Sequence, residues 1–394
     1  MAHVHQRKGY EGVAVAVPVS LPYVRYSTRG AHWFVGRAVS ALLQQSGLAK
    51  EQIDGLTMSS FTLAPDTAVS VTQHLGLSPR WLDHIPTGGA SGVMALRRAA
   101  RAVQTGDANI VACVAADTNH VDSFRLMLSS FSHFARDATY PYGSGGPNAI
   151  FAFITANYMR KYGAQREDFG RICIAQRANA LAYGSRLFKK PLTMEEYLAA
   201  RPIADPIHLF DCVMPCAGAE AFLVMSEERA RDLGLPFATL RGAIERHNAF
   251  ADDPVMERGG WLVDRDELYA MAAARPADID FFQPYDDYPV IVMIQLEDLG
   301  FCAKGEGAAF VQSHQLTFDG GGLPVNTTGG QLSSGQAGAA GGFLGITDAL
   351  RQLTGRAGAN AVKDAQLGLI GGYGMVAYDR CLCTGAAILA RGGA

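Results

Sequence analysis

The feature that most constrains this chain is an alternation of strand-like and helix-like segments that runs once, pauses and runs again. Gly12–Val17, Ile53–Ser59 and Ala108–Ala116 read as strands, the last a buried apolar run. Ala31–Ser46, Ala68–Leu75 and Ser91–Gln104 read as helices by the spacing of their apolar residues. The pattern restarts near residue 237. Strands are then predicted at Ala238–Ala243, Ile279–Phe282, Leu367–Ile370 and Ala386–Ala390, with helices at Asp266–Ala274, Tyr288–Leu299 and Ala340–Leu353. Alternation of this kind predicts an α/β protein built on a doubly wound sheet. The expected organisation is an N-terminal half over 1–120, a loop or cap insertion over 121–236 and a C-terminal half over 237–394. The insertion is poor in strand signal and holds a turn-rich run, Tyr140 to Pro147, before a helix at Asn148–Tyr162. Insertions of this sort commonly carry ligand contacts.

Composition narrows the function classes. The chain has 394 residues, enough for a sizeable core, and a net charge of -3, so no general affinity for nucleic acid is implied. Its seven cysteines show no CxxC…CxxC spacing, so no metal site is expected. The apolar run Val13–Val17 is short and broken by Pro18, and no apolar run is long enough to span a bilayer. Reduced thiols in a cytoplasm are the expectation.

One local motif carries chemistry. Pro86-Thr87-Gly88-Gly89-Ala90-Ser91-Gly92 has the shape of a nucleophile elbow, a glycine-rich turn opening a helix. Backbone N–H groups at a helix N-terminus attract an oxyanion. An elbow normally also presents a nucleophile at its tip, and here Gly89 offers no side chain.

Five blocks in order extend the reading. They are the elbow with its helix, Tyr142–Pro147, Arg201–Cys212, Gln295–Cys302 and Asn326–Gln336. Together they resemble the thiolase superfamily, in its sterol-carrier-protein-type branch, over nearly the whole chain. The resemblance implies an αβαβα fold of two similar halves with a loop insertion, a tight homodimer, and thioesters of coenzyme A as substrates. It implies no cofactor beyond the coenzyme A of the substrate. It further implies a small OB-fold, zinc-ribbon partner subunit. The departures are as informative. In thiolases the elbow reads Cys-x-Ser-Gly, and Gly89 stands at the cysteine that accepts the acyl group. Gln336 in Gly335-Gln336-Ala337 replaces the histidine of a Gly-His-Pro pattern. Tyr285 in Tyr285-Asp286-Asp287-Tyr288 replaces the histidine of a His-Asp-Cys-Phe pattern. In the C-terminal loop, Tyr373 or Tyr378 takes the place of a second cysteine.

Without a thiolate at the elbow, covalent acyl transfer has no nucleophile. Retro-aldol cleavage of a β-hydroxyacyl-CoA needs none, and cysteine-less relatives that shorten steroid side chains point the same way. The expected catalytic residues are Tyr285, Asp286, Gln336, Tyr373 and Tyr378, with Asp286 or Asp287 tuning Tyr285 for proton transfer. Gly89, Ala90, Ser91 and Gly335 are the expected oxyanion and substrate-binding positions. Two alternatives stand beside this reading. One is an acyltransferase using a displaced cysteine, Cys381 or Cys383; the other is a non-catalytic subunit that binds coenzyme A.

Overall fold

The computed structural model describes residues 8–120, 122–123, 135–184 and 187–392. Its strands are β1 (Val13–Val24), β2 (Gly55–Ser59), β3 (Trp81–His84), β4 (Ile110–Thr118), β5 (Pro202–Ala204), β6 (Ile207–His208), β7 (Ala217–Ser226), β8 (Phe237–His247), β9 (Phe281–Gln283), β10 (Leu367–Ala377) and β11 (Arg380–Arg391). The helices that matter here are α1 (Ala31–Ser46), α2 (Ala68–Leu75), α3 (Ser91–Thr105), α4 (Gly146–Tyr162), α5 (Arg166–Tyr183), α6 (Trp261–Ala272), α7 (Pro289–Asp298), α8 (Gly330–Ser334) and α9 (Gly341–Leu353).

Among the described residues one nine-stranded mixed sheet runs β3-β2-β4-β7-β1-β8-β11-β10-β9. β1 joins its two ends by pairing antiparallel with β7 on one side and β8 on the other. The two-residue period of a strand sorts side chains between layers. Along β1, Val13 and Val15 face the cluster around α3 and α9, while Ala14 and Ala16 face α1. On the other end of the sheet, Ile370 and Leu389 face α3 and α9, while Leu369 and Ile388 face α6 and α7. The result is the αβαβα layering: outer helices, half-sheet, the central pair α3 and α9, half-sheet, outer helices. Phe343 of α9 is fully buried in the middle layer. Its truncation to alanine is expected to cost about 3–5 kcal/mol.

The central helices cross through glycine. A Cβ on Gly92 would lie 1.9 Å from the Gly342 carbonyl oxygen, and one on Gly342 would lie 2.7 Å from that of Gly89. Only backbone fits there, and this close approach places both helix N-termini at the molecular centre.

Three expectations need correction. The stretch 121–236 is not all cap, because it supplies β7, hydrogen-bonded between β4 and β1 in mid-sheet. Its opening Ala-Gly-Ala-Glu-Ala hides the strand, since small residues carry little β signal. The rest of that stretch contributes α4, α5 and the small β5-β6 ribbon; residues 121, 124–134 and 185–186 lie outside the described residues. The edge strand β3 also escaped a reading by apolar runs, being polar and half-buried. Finally, the C-terminal loop is no loop: residues 371–381 form the end of β10, a tight turn and the start of β11. Glycines at 371, 372 and 374 masked that hairpin. No helix among the described residues is long and apolar enough to cross a membrane.

Candidate active site

The elbow follows β3. Gly88 takes φ +55, a left-handed value that glycine adopts freely, and residues 88–90 form one tight turn before α3 begins. Below the turn, the Ser91 hydroxyl lies 2.9 Å from that of Ser59, which donates to the Ile85 carbonyl at 2.7 Å. Ser91 is therefore a buried brace of the elbow. The Ala90 N–H bonds back to Thr87 at 3.2 Å. No acceptor among the described residues takes the Gly89 N–H.

A cavity of about 690 Å³ opens on this turn. Gly88 and Gly89 line it, while Ala90, Ser91 and Gly335 do not. Its walls are mainly apolar, with Phe61, Phe151, Phe188, Phe210, Met214 and Met375 among them.

Tyr285 stands directly against Gly89. It leaves β9 through Pro284, and its backbone is fixed by Gln295, which accepts the Tyr285 N–H at 3.2 Å and donates to its carbonyl at 2.7 Å. A Cβ built on Gly89 would lie 2.1 Å from Cε2 and from Cζ of the Tyr285 ring. The phenol thus fills the volume a side chain at residue 89 would need. Glycine at 89 is what lets the Tyr285 ring occupy this space. Gln336 completes the pair: its side-chain amide donates to the Tyr285 hydroxyl oxygen at 3.1 Å and to Gln331 Oε1 at 3.1 Å. With its oxygen accepting from Gln336, the phenol keeps its own proton to donate.

Electrostatics fixes the direction of that proton. Burial, then the carboxylates of Asp287 and Asp286, push the Tyr285 hydroxyl well above its ordinary value. Buried next to negative charge, a phenol stays protonated. Of the two directions the sequence leaves open for Tyr285, giving or taking a proton, these surroundings favour the protonated phenol.

The two aspartates part company. Asp286 turns away from the cavity and accepts the backbone N–H groups of Gln331 at 2.9 Å and Leu332 at 3.2 Å, at the start of α8. Burial raises its carboxyl to about 7 despite these bonds. Asp287 lines the cavity, and its Oδ1, itself buried, has no hydrogen-bond partner among the described residues. Tyr288 also lines the cavity, donating to Asn148 of α4 and stacking on Phe151 with ring centroids 3.9 Å apart.

The C-terminal tyrosines separate as well. Tyr373 is fully buried, lines the cavity and lies nearly parallel to Tyr285 at 14°, its hydroxyl 3.7 Å from Met256 sulfur. Tyr378 sits at the hairpin turn, is 45% exposed and lies off the cavity. Cys381 and Cys383 lie on β11, neither lines the cavity, and burial pushes both thiols up, Cys383 to about 12.

Sequence reasoning missed three arginines. Arg25, Arg177 and Arg201 all line the cavity. Arg177 of α5 is buried, lies 4.1 Å over the Phe188 ring, and donates to Ser333 at 3.3 Å and the Lys190 carbonyl at 3.4 Å. Arg201 opened one of the recognised sequence blocks, the one signal that could have pointed to it.

Comparison with known proteins follows this geometry. Residues 243–385 match the thiolase C-terminal domain-like family. The steroid side-chain-cleaving aldolase of Thermomonospora curvata is 34% identical over 340 residues, covering 81% of this chain and 84% of that protein. The 17-hydroxy-3-oxo-4-pregnene-20-carboxyl-CoA lyase of Mycobacterium tuberculosis is 32% identical over 352 residues, covering 84% and 89%. The solved Ltp2-ChsH2(DUF35) aldolase superposes with a TM-score of 0.82 at 28% identity, covering 96% of this chain and 98% of that one. The chain belongs to the thiolase superfamily and, within its sterol-carrier-protein-type branch, to the thiolase-fold aldolases that lack the acyl-accepting cysteine.

Proposed function

We propose that this protein is a lyase that cleaves the Cα–Cβ bond of a β-hydroxyacyl-CoA by retro-aldol chemistry, releasing a carbonyl product and a shortened acyl-CoA. The observation that carries the reading is the Tyr285 ring in the space above Gly89. Where acyl transfer needs a nucleophile, this site holds a phenol kept protonated by its surroundings.

The residues divide the work. The free N–H of Gly89, at the head of α3, faces the thioester oxygen as it gains enolate charge. Loss of one such donor costs roughly 3 kcal/mol of barrier in other enzymes. Tyr285 gives its proton to the α-carbon, and Gln336 holds the phenol oxygen in place. The guanidinium groups of Arg25, Arg177 and Arg201 suit the phosphates of coenzyme A. An apolar cavity of about 690 Å³ has room for a polycyclic acyl group, which favours a steroid side chain as the bond cleaved. The matched relatives are named for cleavage of that kind.

We also propose a homodimer that works with a small OB-fold, zinc-ribbon partner. The support is family membership and a solved relative that is itself a two-component aldolase. A cytoplasmic location is proposed on the same footing. The displaced-cysteine alternative loses ground because Cys381 and Cys383 lie outside the cavity with thiols pushed up by burial.

The test is turnover. The chain, purified with its partner, is incubated with a steroid β-hydroxyacyl-CoA, and products are resolved by mass spectrometry. Equal yields of ketone and shortened acyl-CoA are expected. Absence of both across acyl chains of different size would sink the lyase and leave a binding subunit.

A further inference from the structure

We propose that Asp287 is the base that removes the β-hydroxyl proton in this cleavage, an assignment that rests on the retro-aldol reading above. The argument starts from what the cavity offers. Among its described lining residues Asp287 is the one carboxylate, and there is no histidine or lysine. The phenols of Tyr285, Tyr288 and Tyr373 are each pushed well above their ordinary value, and the Cys212 thiol is pushed up to about 12. None of these is a proton acceptor near neutral pH.

The other nearby carboxylates are committed. Asp286 accepts two backbone N–H groups of α8. Asp117 accepts from Phe61, Thr62 and Ala339, and lies off the cavity. Asp287 keeps one buried oxygen, Oδ1, without a hydrogen-bond partner among the described residues. Burying an unpaired carboxylate oxygen is costly. Oδ1 is sealed from the cavity, so it is through the remainder of the carboxyl, which lines the cavity, that Asp287 meets a substrate hydroxyl.

The surroundings fit a base. Facing the carboxyl are Asp286 on its own turn, Tyr285 and Tyr288 on either side, Tyr373 from β10, Cys381 from β11 and Cys212 after β6. No cation among them quenches it. Burial and the neighbouring Asp286 raise it well above the usual carboxylate range. A carboxylate so raised is a stronger base when ionised.

The step balances without another reactant. Asp287 takes the β-hydroxyl proton, and the O–H electron pair becomes the second bond of the ketone. The Cα–Cβ bond breaks, and its electrons enter the thioester as an enolate. The enolate carbon takes the Tyr285 proton, and Asp287 returns its own to the Tyr285 phenolate.

The test uses the chain with its partner and a steroid β-hydroxyacyl-CoA. Asp287→Asn is expected to lower the cleavage rate about a hundredfold or more, with substrate binding changed only a few-fold. Asp287→Ala is expected to regain at least about tenfold on addition of formate, which supplies a carboxylate in the vacated space. An asparagine variant within about tenfold of the native rate, or an alanine variant that formate does not revive, overturns the assignment while native cleavage keeps the lyase reading intact. Native protein that cleaves nothing overturns the lyase reading, and this assignment with it.

Discussion

The molecule contains two elbows of nearly the same backbone, and they differ in what their amides meet. Gly88 and Gly338 have φ +55 and +54, each starts a one-turn Gly-Gly-Ala or Gly-Ala-Ala bend, and each bend opens a central helix. The C-terminal elbow is plugged from within. The Ala339 N–H donates to Asp117 Oδ2 at 2.7 Å, and a Cβ on Gly338 would lie 2.1 Å from that same oxygen. Its helix is further tied to the sheet by Thr347, which donates to Glu220 of β7 at 2.6 Å. At the N-terminal elbow an uncharged phenol stands against Gly89, and the Gly89 N–H has no partner among the described residues. A permanent carboxylate makes one helix N-terminus structural. A phenol beside a free amide leaves the other able to receive charge that develops only during reaction.

Substitutions break this comparison in order of expected size. Tyr285→Phe removes the proton donor while keeping the ring that fills the elbow. Its cleavage rate should fall by about 10²–10⁴-fold with substrate binding held within a few-fold, read by steady-state kinetics and calorimetry. A phenylalanine variant with full activity would mean the phenol only fills space.

Gly89→Cys restores the atom the family uses elsewhere, but its Cβ meets the Tyr285 ring and, at 2.3 Å, the Tyr373 carbonyl oxygen. It should destabilise the fold by about 1–3 kcal/mol and abolish cleavage. Adding Tyr285→Ala should recover part of that stability by denaturant midpoint, and only part, because the Tyr373 carbonyl remains. A Gly89→Cys protein as stable as the native chain would show that the elbow has room the geometry denies.

Asp117→Asn unplugs the other elbow. Several buried N–H donors then lose a charged acceptor, so about 1–3 kcal/mol of stability should go, seen as a lower denaturation midpoint. Cleavage per folded molecule should change little.

The smallest effect is a pH dependence. Burial raises Glu220 to about 7. An unfolded glutamate titrates near ~4.3, so between there and about 7 the native state holds the extra proton. Stability from this group is therefore present at low pH and lost as pH rises through about 7. Glu220→Gln should flatten that part of the stability profile in urea titrations from pH 5 to 8. An unchanged slope would show that Glu220 does not titrate there.

The sequence was most legible where chemistry and period coincide. Ala31–Ser46 and Ala68–Leu75 are helices with the predicted bounds, because their apolar spacing has no competitor. Leu367–Ile370 and Ala386–Ala390 are strands as read, but the part of the β10-β11 hairpin between them was illegible because glycines at 371, 372 and 374 interrupt it, and β7 was missed because it opens on alanine and glycine. Within the site, Gly89, Tyr285 and Gln336 could be found because each breaks a recognised pattern. Their contact could not, since it joins positions nearly two hundred residues apart. Asp286 and Asp287 are adjacent in sequence, and nothing in the order of residues says which one turns toward the cavity. Only the capping of α8 by Asp286 decides that. Arg177 carries no local motif and acquires meaning from Phe188 and the cavity beside it.

The central claim is that carbon–carbon cleavage proceeds here with no bond between substrate and protein. Quenching the complex during turnover of a β-hydroxyacyl-CoA and weighing the intact chain tests it most directly. The account predicts ketone and shortened acyl-CoA accumulating while the protein keeps its native mass at every time point. A chain that gains the mass of an acyl group on a cysteine, at a rate matching turnover, would contradict it.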